Sequence, residues 1–359
     1  TTEIYTLSLH DALPICSRLS GHLSLSAIDV ILSTLLALAI LAIVLWSAGA
    51  LYFDFLGASP AGAVAGAAWV AAWLALFMLW RPPWQPLLLL GALFALVLWR
   101  WLSLRPSQDR DWDPHFAHLA RIAIDGDAVA IENLRNSDYG ENRQSTPRFE
   151  TREVRLSQLA GVDALILTWG SPWMSHPMFV FDFGPGGRVC ISIEVRYRRG
   201  QPFSFFRTLY RQQELIYVVS DERDAILRRT KWLQNHNLYL YRLQVDELEA
   251  RQFFLDYANR VNRLACEPAW YHGLTANCTM SVYWQSRQYI RWHWRLLLNG
   301  SLDRLLYDRG RIARAMPFDE LKRQSWINDL ANRAPVEGFG DYIRDALPGY
   351  TRPAPVEPG

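Results

Sequence analysis

The ten residues YHGLTANCTM, 271–280, read as a loop running into a helix, with Asn277-Cys278 at the junction. A thiol gains most at such a point, because backbone N–H groups and the helix dipole favour the thiolate, its reactive form. A thiolate needs a base to manage protons. Upstream, SPWMSHPMFVFDFG (171–184) puts His176 at the head of a strand-like run, the best-placed base in the chain. Strands carrying the histidine and a helical stretch carrying the thiol predict an α+β fold.

Working outward, strand-like runs are predicted at Ala164–Trp169, Pro177–Phe183, Arg188–Arg196, Leu215–Ser220 and Leu238–Leu243. Arg121–Arg135 alternates and turns at Asp125-Gly126, a hairpin signal. Ser107–Pro114 reads as a linker and Asn136–Thr151 as a polar loop. Asp221–Gln234 reads as a helix opened by Asp221 or Asp224. Val245–Leu264 is amphipathic, with an apolar stripe through Leu248, Phe253, Leu255, Ala258 and Val261. Leu302–Leu347 mixes helix and loop, and 349–359 is a Pro-rich loose tail. The expected architecture is an antiparallel sheet with packed helices grouped mainly on its C-terminal side, spanning 107–348.

Before this domain the chain is apolar. Ala27–Trp46 and Ala61–Trp80 are long enough to span a bilayer, and Pro86–Leu104 spans if Arg100 snorkels to the interface. Residues 27–105 are therefore expected to form a transmembrane region of about three helices. Arg18 precedes the first span, Tyr52–Pro60 carries no Lys or Arg, and Arg81 lies between the second and third. The positive-inside bias then puts the large domain outside the cytoplasmic membrane. Sixteen Trp residues, many in or just after the apolar third, fit a membrane-proximal protein. A net charge of +2 leaves no footprint for nucleic acid. Thr1–Cys16, TTEIYTLSLHDALPIC, resembles a translated sequencing adapter and makes a poor signal peptide, so it is set aside from fold reasoning. Cys190, Cys266 and Cys278 remain, an odd count that leaves at least one free thiol.

In Arg188–Arg196, Val189, Ile191, Ile193 and Val195 share one strand face, while Cys190, Ser192, Glu194 and Arg196 share the other. An apolar face against helices and a polar face toward a cleft would bring Ser192 or Glu194 beside His176. A catalytic histidine needs such a partner to fix its tautomer and stabilise the imidazolium. The competing reading makes Glu194 and Arg196 a solvated strand face. His272 is a rival base, six residues before Cys278 across a glycine. Asp111, Asp113, His115 and His118 make a weak metal cluster, because Pro114 interrupts the spacing, and no metal or cofactor is expected. There is no P-loop, GxGxxG, GxSxG or HExxH motif.

The segments NLRNSDY, TWGSPWMSHPMFVFDFG, ISIEVRYRRG, DERDAILRRT, LYLYRL and NRLACEPAWYHGLTANCT occur in that order from Asn133 on. Together they resemble the bacterial domain family named after the periplasmic N-terminal domain of Lnb, a lipoprotein N-acyltransferase. That resemblance implies a circularly permuted papain-like fold, related to NlpC-type peptidases, in which the histidine precedes the cysteine. It implies Cys278 as nucleophile and His176 as base, with Ser192 or Glu194 as the orienting group. Asn277 would support an oxyanion beside the Cys278 N–H, with Arg196 and Tyr271 as further supporting candidates. The implied activity is acyl transfer from a phospholipid or lipoprotein acyl donor to an amine such as a lipoprotein N-terminus, at the periplasmic face of the bacterial inner membrane. Two other readings stay open: a thiol peptidase or amidase acting on cell-wall peptides, and a non-enzymatic envelope assembly protein.

Overall fold

The computed structural model describes residues 25–80, 82, 84–140, 144–171, 173–233, 235–275, 299–348 and 350. The chain divides into two units, one ending at Ser103 and one beginning at Leu104.

In the first unit three helices are long and apolar enough to cross a membrane: α1 (Leu25–Ala50, continued by a wider π-type turn to Phe55), α2 (Pro60–Leu79) and α3 (Trp84–Leu102). Leucines such as Leu32, Leu35, Leu38, Leu74 and Leu88 are exposed, as helices with apolar residues all round require lipid around them. Ser59 caps α2, its Oγ accepting from the Gly62 N–H at 3.1 Å, and Pro60 takes the first helical position, where a missing N–H costs nothing. At Gly66 a Cβ would stand 3.2 Å from the Ala48 carbonyl oxygen, so this small residue lets α1 and α2 approach closely. Trp101 donates its indole N–H to Asp54 at 2.9 Å, giving the acidic residue of the π-type turn a partner.

The second unit is built on a mixed sheet. Its strands are β1 (Arg121–Asp125), β2 (Ala128–Arg135), β5 (Phe149–Arg155), β6 (Gly161–Thr168), β7 (Ser175–Asp182), β8 (Arg188–Arg196), β9 (Glu214–Asp221) and β10 (Asn237–Arg242). The order is β1-β2-β9-β8-β7-β6-β10, with β5 also on β2. A separate small ladder joins β3 (Asp138–Tyr139) to β4 (Ser145–Thr146). The sheet is not wholly antiparallel as expected, because β2 meets β9 in parallel at Arg135 and Ser220. The expected polar loop over 136–151 also gives way to β3, β4 and the start of β5. Only Val154 of β5 is fully buried, so an apolar alternation is missing from its sequence.

Alternation sorts the side chains of the central strands onto two covered faces. Phe179, Phe181, Val189, Ile191 and Ile193 face α5 (Glu247–Cys266), which Asp246 caps through the Glu249 N–H at 2.7 Å. The buried stripe of α5 is Ala250, Phe253, Phe254, Tyr257, Ala258, Val261 and Leu264. Phe253, Ala258 and Val261 of the expected stripe lie in it and Leu255 packs beside it, while Leu248 falls outside and is 75% exposed. Edge-on aromatic pairs lock the layer: Phe179 with Phe253 at 5.0 Å, Phe181 with Phe254 at 5.2 Å and Phe183 with Phe254 at 5.1 Å. Each is worth roughly 0.5–1.5 kcal/mol beyond its buried area.

The opposite face carries Leu165, Leu167, Met178, Val180 and Cys190. It is covered by α4 (Glu222–Leu227), its π-type continuation Arg228–Trp232, and the C-terminal helices Asn328–Arg333 and Phe339–Asp345. Helices therefore lie on both faces. Ser325–Ile327 covers the β10 edge, with Leu240 N donating to Ser325 O at 2.9 Å and Ile327 N to Leu238 O at 3.0 Å. At the β1 edge the Asn262 side chain accepts from Ile122 N and donates to Ile122 O, occupying groups that would otherwise invite another strand. At one end of the sheet Asp163, Glu222 and Arg344 form a buried ion cluster, which Tyr350 joins by donating to Asp163 at 2.8 Å. The residue after the expected start of the tail is thus packed rather than loose.

Candidate active site

The end of the sheet opposite this ion cluster gathers the start of β7, the end of β8 and the start of β9. Met178 pairs with Ser192, so His176, Ser192 and Glu194 project from the same face. His176 Nε2 lies 2.8 Å from Ser192 Oγ. Arg229, on the π-type turn after α4, lies over this pair. Its Nη2 forms an ion pair with Glu194 Oε1 and stands 3.5 Å from Ser192 Oγ, while Nη1 donates to Ala225 O at 3.1 Å. Arg229 is 3% exposed.

Electrostatics separate the roles of the two residues beside His176. Burial alone would raise the Glu194 carboxyl, but Arg229, with His176, Arg135 and Arg228 nearby, holds it far below the usual carboxylate range. At neutral pH it is an anion, engaged by the Arg229 guanidinium. Burial pushes the His176 imidazole down to about 4, against the upward pull of Glu194 and with a further downward push from Arg229. His176 is therefore neutral at pH 7, the form that accepts a proton. The direct partner of its ring is the Ser192 hydroxyl.

Other candidates fall elsewhere. Arg196 points its guanidinium at the segment after α3, donating to Gln108 Oε1 at 2.6 Å, Phe116 O at 2.9 Å and Ala117 O at 2.7 Å, and it stacks on Trp112 at 4.1 Å. It fastens that segment to the sheet. Tyr271 N donates to Gln213 O at 2.8 Å, next to the bridge between Glu214 and Trp270, which ties the 270–275 turn to the start of β9. His272 Nδ1 accepts from the N–H groups of Leu274 and Thr275 at 3.3 and 3.2 Å, so this ring closes a turn. His115 Nε2 faces Ser145 Oγ at 2.8 Å, its ring stacked on Tyr139. Among the described residues no three His, Cys, Asp or Glu side chains converge as metal ligands.

Cys190 and Cys266 are free thiols. Cys190 shares the face of Ser192 but is buried, and burial pushes its thiol up, away from the reactive thiolate. Cys266 is exposed at the last position of α5. Asn277 and Cys278 lie outside the described residues. Sequence reasoning missed Arg229. The available signal was a basic residue two turns into a helix that leaves β9 directly, a spacing that returns the side chain to the neighbouring β8.

Residues 145–305 match the family model described as the Lnb N-terminal periplasmic domain. Neither a curated protein nor a solved structure matches the chain. With the three apolar helices ahead of it, this domain makes the protein a membrane-anchored, periplasmic one.

Proposed function

We propose that this protein is a cysteine-dependent acyltransferase of the bacterial inner membrane, with Cys278 as nucleophile, His176 as base and Ser192 as the group that orients the base. The observation that carries the reading is the 2.8 Å contact of His176 with Ser192, beside a Glu194 already neutralised by Arg229. A neutral imidazole held at Nε2 has Nδ1 left to take a proton. Thr275, three residues before Cys278, ends a turn fastened to the start of β9, at the His176 end of the sheet. The order histidine strand first, cysteine later, is that of a permuted papain-like domain.

In this mechanism Nδ1 of His176 takes the Sγ proton of Cys278, and the thiolate attacks the ester carbonyl carbon of a phospholipid or diacylglyceryl group. The Cys278 N–H, with Asn277, holds the oxyanion that forms. The C–O bond breaks, the leaving alkoxide takes the proton from His176, and a thioester remains. An amine, such as a lipoprotein N-terminus, then attacks the thioester, gives its proton to His176 and leaves as an amide, returning the thiolate. The test is the intact mass of the detergent-purified protein before and after neutral hydroxylamine, beside Cys278→Ala. A hydroxylamine-labile adduct of fatty-acyl mass on the parent protein alone is the expected result. Turnover by Cys278→Ala sinks the reading, and release of peptides from cell-wall fragments redirects it to an amidase.

A further inference from the structure

Three polar side chains beside the His176 site hold donors that nothing around them engages. They come from separate stretches: His115 in the Pro114–Phe116 turn, Tyr139 on β3, and Arg228 at the head of the π-type turn after α4. The His115 ring stacks on Tyr139 at 5.9 Å and 15°, and Trp232 packs against the two rings at 6.2 and 6.5 Å. Arg228 lies over the Phe116 ring at 5.2 Å and beside the Tyr139 hydroxyl, without a well-aligned hydrogen bond to it. His115 and Tyr139 are 7% and 6% exposed. Yet His115 Nδ1, the Tyr139 hydroxyl and Arg228 Nη1 are buried with no hydrogen-bond partner among the described residues. Buried polar groups are almost always paired, so three unpaired ones together mark a place built for a ligand.

The charges make that ligand an anion. Asp224 is taken up by Arg135, from which it accepts at 2.8 and 3.0 Å, and by the Ser137 N–H at 2.7 Å. Glu194 is taken up by Arg229. Arg228 also acts on Glu194 but has no carboxylate within ion-pair distance among the described residues, so three arginines face two carboxylates. Burial, then Arg228 and Arg135, push the His115 imidazole down to about 4, while Asp113 and Asp224 pull against them more weakly. The field at that ring is positive. One surplus positive charge matches a monoanion. A guanidinium fork, a phenol O–H and, with Ser145 donating to Nε2, an imidazole Nδ1–H match oxygens on one tetrahedral centre. A phosphodiester carries one negative charge, whereas inorganic phosphate carries roughly 1.5 to 2 at neutral pH.

We propose that Arg228, Tyr139 and His115 form a binding site for a phosphoryl anion, with the phosphodiester of a phospholipid headgroup as its ligand. Arg229, the next residue, pairs with Glu194 and reaches Ser192 Oγ at 3.5 Å, so the site adjoins the His176–Ser192 pair. Resting on the acyl-transfer reading, the site holds a phospholipid donor next to the histidine and selects it over an uncharged diacylglyceryl donor.

The test titrates the detergent-purified full chain, by isothermal calorimetry, with glycerophosphoglycerol, with inorganic phosphate and with glycerol. The first is a water-soluble phosphodiester without acyl chains. Glycerophosphoglycerol should bind, phosphate should bind more weakly, and glycerol should not bind. Arg228→Gln should weaken binding about tenfold or more, the loss of a charge-assisted hydrogen bond. Tyr139→Phe, which keeps the ring in its stack, should weaken it several-fold. Arg263→Gln, at an exposed pair on α5, should leave it unchanged. Phosphate bound more tightly than the diester overturns the lipid headgroup as ligand and gives the site to free phosphate. No binding of either anion, or equal binding by the parent and both cluster variants, overturns the site itself. The titration needs no turnover, which separates the two readings. Anion binding by a protein whose Cys278→Ala variant still turns over keeps the site and sinks acyl transfer through Cys278; a thioester adduct on a protein that binds neither anion does the reverse.

Discussion

Ser192 Oγ stands 2.8 Å from His176 Nε2 across two adjacent antiparallel strands. Both backbones are held by ladder hydrogen bonds, so the pair is positioned by rigid elements rather than by a loop. The charged alternative, Glu194, is drawn away by Arg229. In the proposed mechanism a neutral hydroxyl thus orients the base, and the carboxylate acts on it only at one remove.

Ser192→Ala is expected to leave Nε2 without its partner. Losing a buried hydrogen bond costs about 1–3 kcal/mol, which corresponds to roughly fivefold to 150-fold in rate. The rate at which the hydroxylamine-labile adduct appears should fall by that amount, while the fold is kept. Glu194→Gln should slow this step less than Ser192→Ala. Equal or reversed effects would return the orienting role to Glu194.

Arg229→Met should be far more damaging to stability than Glu194→Gln. The two side chains are 3% and 12% exposed, and removing the cation alone strands a buried carboxylate at a cost of about 3–5 kcal/mol. The double variant Arg229→Met with Glu194→Gln should recover much of that loss. Denaturant unfolding of all four proteins, followed by near-UV circular dichroism, closes the cycle. Additive effects of the two changes would show that the pair is not coupled.

Acidification should weaken the fold above the range in which Glu194 titrates. Burial lowers His176 from 6.5 to about 4, and it lowers His115, with help from Arg228 and Arg135, to about 4. Between those values the unfolded chain binds protons that the folded protein refuses, so stability falls as pH drops from 6.5 toward 4. The loss reaches at most about 3 kcal/mol for each histidine. Glu194 acts in a lower window. Its folded value is depressed, so its contribution is full above its unfolded value near 4.5 and is lost as pH falls below that. His176→Gln and His115→Gln should each flatten the slope of melting temperature between pH 6.5 and 4 without changing the steeper fall beneath it.

Phe254→Ala should cost about 3–5 kcal/mol, because Phe254 is fully buried against Phe181 and Phe183. Leu248→Ala, on the exposed side of the same helix, should lie within about 0.5 kcal/mol of the parent. Denaturant midpoints measure both. The contrast is a direct check on which face of α5 is buried: Phe253, Ala258 and Val261 of the expected stripe lie in it, and Leu248 does not.

The strands were legible because their alternation is strong: Arg188–Arg196 has the predicted bounds, and the Asp125-Gly126 turn joins β1 to β2 with Gly126 at φ 59°. β5 was hidden because Phe149–Arg155 is charged and lines an edge. The parallel meeting of β2 and β9 was hidden because strands distant in sequence carry no mark of their partner. At the site, the Ser192–Glu194 face followed from the period of two, which puts both residues on the side of His176. Which of them touches the His176 ring did not follow, since Glu194 is engaged by Arg229, thirty-five residues further on. A cation that arrives from another element leaves no trace in the pattern of the strand it touches.

Gly273 tests whether the turn before Cys278 positions the nucleophile. Its backbone N–H bonds to Thr208 O, and a Cβ at 273 would run into the Thr208 hydroxyl, with Thr208 Cβ 3.3 Å away and Phe205 3.4 Å away. Gly273→Ala must therefore push the turn off the β8–β9 connection, an overpacking cost of about 1–3 kcal/mol. Thr208→Ala removes the oxygen that the new methyl meets and leaves only the tolerable Cβ contact. If the turn sets the position of Cys278 against His176, Gly273→Ala slows adduct formation and the added Thr208→Ala restores it. Thr208→Ala alone forfeits its own 2.6 Å bond to Phe205 O and should cost stability more than rate. Recovery of the rate in the double variant is the signature of positioning. A Gly273→Ala protein that melts earlier yet forms the adduct at the parent rate would leave the turn a purely structural part.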